Sequence, residues 1–316
     1  MDRIPSVDLR EFLSEDPNIK QKFINEIGKA YEEIGFVALK GHFLPDDLVD
    51  DLYSQVQKFF ALPEDVKKKY EIEGLGGQRG YTSFGKEHAK GRKAGDLKEF
   101  WHFGQYVEDD PVLEKEYPPN VIVEEVPAFN EVGKKAYKAL EKTARYVLRA
   151  LALHIGLEET YFDQYIKNGN SILRPIHYPP ITEEPKDAVR AAAHGDINLI
   201  TLLMGAQGRG LQVQNHKGEW IDAIAQPDEL MINVGDMLSR HTNNKLKSTI
   251  HRVINPPKEL WGSSRYSIPF FMHPVSDMPL NVLEKCVDAD HPKQFDDITA
   301  GDFLHERLID LGLIKK

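Results

Sequence analysis

From about residue 170 onward the chain breaks into short runs rich in β-branched and aromatic residues, separated by Gly, Asn, Pro and Asp. These runs lie at 171–178, 189–194, 199–204, 210–214, 219–224, 229–234, 248–254 and 264–272. The spacing leaves no room for the crossover helices of a parallel sheet, and about eight such runs predict a closed sandwich or jelly roll. The chain before 170 reads differently. Ile19, Phe23, Ile27, Ala30, Tyr31 and Ile34 recur near helical spacing over 18–34, Gly35 stops that helix, and Phe36-Val37-Ala38-Leu39 is a short strand. A second helix is predicted over 46–60, with Leu48, Leu52, Val56 and Phe59 on its apolar face. The longest runs from 127 to 155 on a stripe of Ala136, Leu140, Ala144, Val147, Leu148, Leu151 and Ile155, before Gly156. Its length suits a support laid along a sheet, and a terminal helix is predicted over 300–311. The fold class expected is mainly β with α: a jelly-roll core, a helical N-terminal part and one long supporting helix. No linker separates the parts, so residues 1–316 are read as a single compact unit. Within it, 1–120 is a mixed α/β region, 165–280 the core and 281–316 a helical tail.

Composition narrows the function classes. With 316 residues, 41% of them apolar, the chain can bury a sizeable core. A net charge of −10 argues against nucleic acid as the main partner, and no Lys/Arg-rich helix suggests a membrane surface. The single cysteine, Cys286, excludes an intrachain disulfide and a thiolate metal cluster, in keeping with a reducing cytosol. Met1-Asp2-Arg3-Ile4-Pro5 lacks the apolar run of a signal peptide, and no segment approaches the about 18 apolar residues of a membrane span. A cytoplasmic monomer is expected.

The chemistry is carried by His194-Gly195-Asp196, His251 and Arg265-Tyr266-Ser267. Each alone is weak in a chain with 12 histidines; order and strand parity supply the weight. Successive side chains on a strand point to opposite faces, so His194 and Asp196 share a face if extended, as do Arg265 and Ser267. Two imidazoles and one carboxylate on one side of an ion leave the other side open, which suits an iron(II) that must meet an oxidant. His251 lies in a run that should be buried, where an imidazole needs a partner. Arg265 sits in an apolar strand, which is costly unless an anion meets its planar fork; Ser267 adds a donor beside it. The bland alternatives are a hydrogen-bonded core histidine, a turn-capping aspartate and an internal salt bridge to Arg265. Two histidines and a carboxylate also bind zinc, but a zinc hydrolase would want a nearby glutamate, as in His-Glu-x-x-His, which is absent. A binding protein that kept these residues as structure is the other competing class. His241 is not read as a fourth ligand, because it would occupy a position that oxygen chemistry needs.

With these residues in view, the chain resembles the isopenicillin N synthase-like family of iron(II)/2-oxoglutarate-dependent oxygenases. That family shows His-x-Asp, a second His well downstream and Arg-x-Ser soon after; here His251 follows His194 by 57 positions and Arg265 follows by fourteen more. The surrounding text is similar too: Leu199 to Leu203, Gly210-Leu211-Gln212-Val213, Asn233-Val234-Gly235-Asp236, Ser248 to Val253, and Ile4-Pro5-Ser6-Val7-Asp8-Leu9 through Gly35-Phe36. The resemblance thus covers nearly the whole chain. It implies a double-stranded β-helix core, iron ligands His194, Asp196 and His251, and a 2-oxoglutarate distal carboxylate held by Arg265 and Ser267 with Tyr178 beside them. The sequence departs at the family's Asn-Tyr-Tyr-Pro segment, which reads Ile176-His177-Tyr178-Pro179 and lacks the Asn. The implied reaction consumes O2 and 2-oxoglutarate and releases succinate and CO2. A small molecule is hydroxylated, desaturated or cyclised. An iron oxidase of the same fold that uses no keto acid stays open, because Arg-x-Ser can also bind a substrate carboxylate.

Parity extends the site. Phe271 and His273 share it with Arg265 and Ser267, and Arg174 shares it with Tyr178. Arg174 and Phe271 are expected to touch the substrate, with Tyr81 a further candidate and Trp101 and Phe103 closing the opposite wall. Residues 73–95 hold seven glycines and the cations Arg79, Lys86, Lys90, Arg92 and Lys93. They read as a solvated loop or as a cationic lid carrying Tyr81 and Phe84. With Arg174, the cationic stretch 79–98 hints at an anionic or polar small-molecule substrate.

Overall fold

The computed structural model describes residues 3–75, 78–87, 96–185, 188–204 and 210–310. Its strands, in chain order, are β1 (Ser6–Asp8), β2 (Phe36–Lys40), β3 (Gly80–Thr82), β4 (Glu99–Gly104), β5 (Ile172–Leu173), β6 (Ile176–Tyr178), β7 (Ala191–His194), β8 (Ile200–Met204), β9 (Leu211–Gln214), β10 (Trp220–Asp222), β11 (Leu230–Val234), β12 (His251–Val253), β13 (Arg265–Ser267) and β14 (Pro269–Met272). They form a large sheet in the order β1-β2-β11-β8-β14-β5-β4-β6-β13, with β3 on β4, and a small one in the order β10-β9-β12-β7. Apart from the parallel β1–β2 pair, neighbouring strands run antiparallel. The core is the double-stranded β-helix.

The N-terminal part is built on the local signals of the sequence. The helix Pro17–Glu33 opens on Asp16, whose side chain accepts from the Asn18 amide, and on proline in its first turn. It buries Phe23, Ile24, Ile27, Ala30 and Tyr31 and gives way at Gly35 to β2. Gly35 has φ of +73°, and a Cβ there would lie 2.1 Å from the Lys247 carbonyl oxygen, so only glycine makes this turn. β2 then pairs with β11 and ties the helical part to the core. Helix Asp46–Phe60 packs on the 28-residue helix Pro127–His154, which in turn lies against β4, β5, β8 and β14 of the large sheet. Between them Phe59 stacks on Phe129 at 5.0 Å, and Trp101 closes on Phe59 at 4.9 Å. One apolar core runs from Val7 to Phe303.

Two expected runs are each split. Residues 171–178 divide into β5 and β6 around Pro175, and 264–272 divide into β13 and β14 just before Pro269, since proline has no amide to give a ladder. Strand β4 was not foreseen, because it is buried on both faces and shows no alternation. Of the expected lid, residues 76–77 and 88–95, with Lys90, Arg92 and Lys93, lie outside the described residues. Gly80–Thr82 within it is a strand, and Lys86 pairs with Glu71 at 2.9 Å. Among the described residues no helix is long and apolar enough to cross a membrane.

Candidate active site

Strand β7 ends on His194 and β12 begins on His251, and the antiparallel register places the two directly opposite, with ring centroids 4.5 Å apart. Pairing thus joins residues 57 positions apart in sequence. Asp196, two residues past His194, brings Oδ1 to 3.9 Å from His194 Nε2 and 3.7 Å from His251 Nε2. Ligand bonds of about 2.1 Å at right angles set neighbouring donors about 3 Å apart, so each of these two separations would close by less than about 1 Å around an ion. The other ring nitrogens are already committed. His194 Nδ1 donates to the Ala192 carbonyl at 2.6 Å and His251 Nδ1 to the Thr249 carbonyl at 3.2 Å. A carbonyl only accepts, so each Nε2 presents its lone pair to the site.

Asp196 is held just as firmly. Its Oδ2 accepts from Thr201 Oγ1 at 2.6 Å and Asn233 Nδ2 at 2.8 Å, and these two donors are cross-strand partners on β8 and β11. Oδ1 remains for an ion. Burial raises the Asp196 pKa, but His251, His194 and the two hydrogen bonds outweigh it and hold the carboxyl below its usual range. Burial, then the His251 charge, lowers His194 to about 4. At neutral pH His194 is therefore a neutral imidazole and Asp196 a carboxylate, and with His251 they make the two-imidazole, one-carboxylate donor set that suits iron(II). Among the described residues this is the only group of three or more such side chains placed to hold a metal ion.

A second cluster of buried polar groups stands on β6 and β13. In the β6–β13 ladder Tyr178 stands opposite Arg265, with the guanidinium 5.1 Å from the ring centre. Arg265 is 2% exposed, and its Nε and Nη1 are buried without a hydrogen-bond partner. No internal salt bridge meets it among the described residues, so that alternative is gone and a carboxylate fits. Ser267, also buried, shares its face. His177 turns away to Glu99 and Ser264, while Ile176, where the family's Asn would stand, packs with Phe100 and Tyr178.

Arg174 and Phe271 come together on a third side. The Arg174 guanidinium lies 5.1 Å from the Phe271 ring and 4.6 Å from Phe100. Its Nε donates to His102 Nε2 at 2.5 Å, and Nη1 reaches Glu87 at 3.5 Å. Lys98 bridges Glu87 at 3.0 Å and Asp96 at 2.9 Å, so among the described residues two cations, Arg174 and Lys98, face two acids. His273, lowered to about 4 by burial, is close enough to feel both Asp196 and Arg174. The opposite wall differs from the expected one: Phe100 and His102 face Arg174, whereas Trp101 and Phe103 point into the apolar core with Phe129. Tyr81 is buried in that core too, its hydroxyl on Glu99, which also takes Lys67 at 2.7 Å and His177 at 2.7 Å. His241 is spent between Tyr161 at 3.0 Å and the Asn281 carbonyl at 2.7 Å, in keeping with its exclusion as a ligand. Thr201, Asn233, Arg190, Phe100 and His102 were not singled out from sequence. Arg190 could have been found, because it shares strand parity with His194.

The chain is similar to known proteins over nearly its whole length. Residues 4–125 match the family described as non-haem dioxygenase in morphine synthesis N-terminal, and 169–274 match the 2OG-Fe(II) oxygenase superfamily. The chain is 31% identical over 310 residues to the 2-oxoglutarate-Fe(II) type oxidoreductase hxnY of Emericella nidulans, covering 95% of this chain and 88% of that protein. A 2OG-Fe(II) oxygenase family protein from Caulobacter crescentus superposes with a TM-score of 0.89 at 41% identity, over 98% of this chain and 100% of that one. A full-length Neurospora crassa protein, solved with alpha-KG and thymine, gives 0.85 at 30% identity, over 97% and 96%. Two family segments matched in order, relatives matched almost end to end and a converging His-Asp-His group agree, and the chain belongs to the 2OG-Fe(II) oxygenase superfamily.

Proposed function

We propose that His194, Asp196 and His251 hold iron(II), and that Arg265, Ser267 and Tyr178 receive the distal carboxylate of 2-oxoglutarate. The convergence of the three donor atoms within 4.8 Å of one another carries this reading. Bound iron(II) with the keto acid supplies dioxygen activation, coupled to release of succinate and CO2. The chain's own residues do the rest. Thr201 and Asn233 hold Asp196 so that one oxygen faces the ion. The buried strands β6 and β13 keep water from the arginine fork, where a carboxylate then binds strongly.

For the primary substrate we propose a flat small molecule that presents a carboxylate or carbonyl oxygen to Arg174, with Phe271 against its face. Because Glu87 and Asp96 already balance Arg174 and Lys98, a neutral carbonyl suits the pocket as well as an anion. The thymine bound in the Neurospora crassa protein is a flat carbonyl-bearing ring. Tyr81 is proposed as a remote support of this wall through Glu99. The chain is read as a cytoplasmic monomer and as one compact unit, the latter supported by a main apolar core that draws on residues from Val7 to Phe303.

The test is an anaerobic titration of iron(II)-loaded protein with 2-oxoglutarate, followed by a panel of pyrimidines and aromatic acids screened for stimulated succinate release. A visible charge-transfer band that is lost in His251→Ala, and a substrate response that is lost in Arg174→Ala and Phe271→Ala, are expected. A band that survives His251→Ala removes the ligand assignment, and unchanged turnover in both pocket variants removes the substrate wall.

A further inference from the structure

Arg265 does not stand alone. Arg190, just before β7, is 4% exposed, and its guanidinium lies 5.7 Å from the centre of the same Tyr178 ring that Arg265 approaches at 5.1 Å. Its Nε is buried without a partner, and its Nη2 makes only a long contact, 3.4 Å, to the Ser263 carbonyl. Among the described residues neither arginine has a carboxylate within ion-pair distance. Burial, and then the charge on Arg265, hold the pKa of Arg190 below its usual range. Elsewhere in the chain a partly buried arginine has its anion: Arg149 forks onto Asp163. Two buried like charges that flank one ring and feel each other are costly unless an anion joins them.

The geometry points to Arg190 as a second cation on the distal carboxylate of the keto acid, so that the pair Arg190–Arg265, set around Tyr178, selects a dicarboxylate keto acid over a monocarboxylate one. This rests on the co-substrate reading above. Two positive charges meet one carboxylate, so a keto acid ending in a methyl group leaves both buried charges unanswered. That is the penalty of an unpaired buried charge, and it makes discrimination steep.

Anaerobic calorimetry of iron(II)-loaded protein, titrated with 2-oxoglutarate and with 2-oxobutyrate, tests it without turnover. Arg190→Gln is expected to weaken 2-oxoglutarate 10- to 100-fold (on the order of a lost buried charge contact) while 2-oxobutyrate shifts less than about twofold. Arg190→Lys, which keeps the charge but not the fork, falls between. Melting of the keto-acid-free protein gives an independent readout. Removing one of two repelling buried charges leaves Tm unchanged or raised, and the increment that 2-oxoglutarate adds to Tm shrinks. Unchanged affinity for 2-oxoglutarate overturns the proposal, as does an equal loss for both keto acids. A collapse of Tm, which marks a structural arginine, also overturns it. If the unaltered protein binds neither keto acid, the co-substrate reading falls and takes this proposal with it. If it binds 2-oxoglutarate and Arg190→Gln binds it as well, only the role of Arg190 falls.

Discussion

Asp196 has one oxygen committed before any ion arrives. Thr201 and Asn233 hold Oδ2, which fixes the plane of the carboxylate and aims Oδ1 between the two imidazoles. Outer donors of this kind typically shift metal affinity by about 10- to 100-fold. Thr201→Val keeps the shape and removes the hydroxyl, and should weaken iron(II) or manganese(II) binding by about 10-fold, read by competition with a metal-sensitive dye. Asp196→Ala should abolish metal binding altogether while leaving the fold intact, read by the same titration and by circular dichroism. Thr201 and Asn233 were in plain view in sequence but silent, since nothing in a Thr or an Asn says that it is the cross-strand partner of the other.

At the scale of elements, the strand Glu99–Gly104 shows what parity can and cannot give. Alternation states that Trp101 and Phe103 share one face and Phe100 and His102 the other. Both sets are largely aromatic and both faces are buried, so hydrophobicity gives no sign of which face meets the site. The helices behind the sheet decide it, because Phe59 and Phe129 leave a slot for Trp101. Trp101→Ala should therefore cost about 3–5 kcal/mol of stability in urea unfolding. Phe100→Ala should change substrate KM well before it changes the unfolding midpoint. The turn from the first long helix into β2 is equally constrained. Gly35→Ala combines a left-handed φ with a clash on the Lys247 carbonyl and should lower stability by about 2 kcal/mol or more, without altering iron affinity.

Over the whole molecule, a burden of buried histidine sets the response to acid. His241 is 2% exposed, and burial lowers its pKa from the ordinary 6.5 to about 4, against a smaller opposing contribution from the Asn281 carbonyl. The unfolded chain takes up this proton near pH 6.5 and the folded chain only near 4. Between those values the unfolded state holds more protons, so stability falls as pH falls, by at most about 3 kcal/mol for this group. Metal-free protein should lose Tm steadily from pH 6.5 towards pH 4, and His241→Gln should flatten that slope; a slope unchanged in the variant would assign it to other groups. Sequence by itself determined the β-rich core, the three long helices to within a residue or two, and the His-Asp-His and Arg-x-Ser constellations. Those are local: periodicity, stop signals and two-residue parity are written in contiguous residues. Tertiary structure decided which face of β4 meets the site, that Arg190 joins Arg265 at Tyr178, and that the cations around Arg174 are already balanced. Each of these depends on which strands become neighbours and in what register, and on where burial leaves a charge without a partner, quantities that exist only once the sheets have closed.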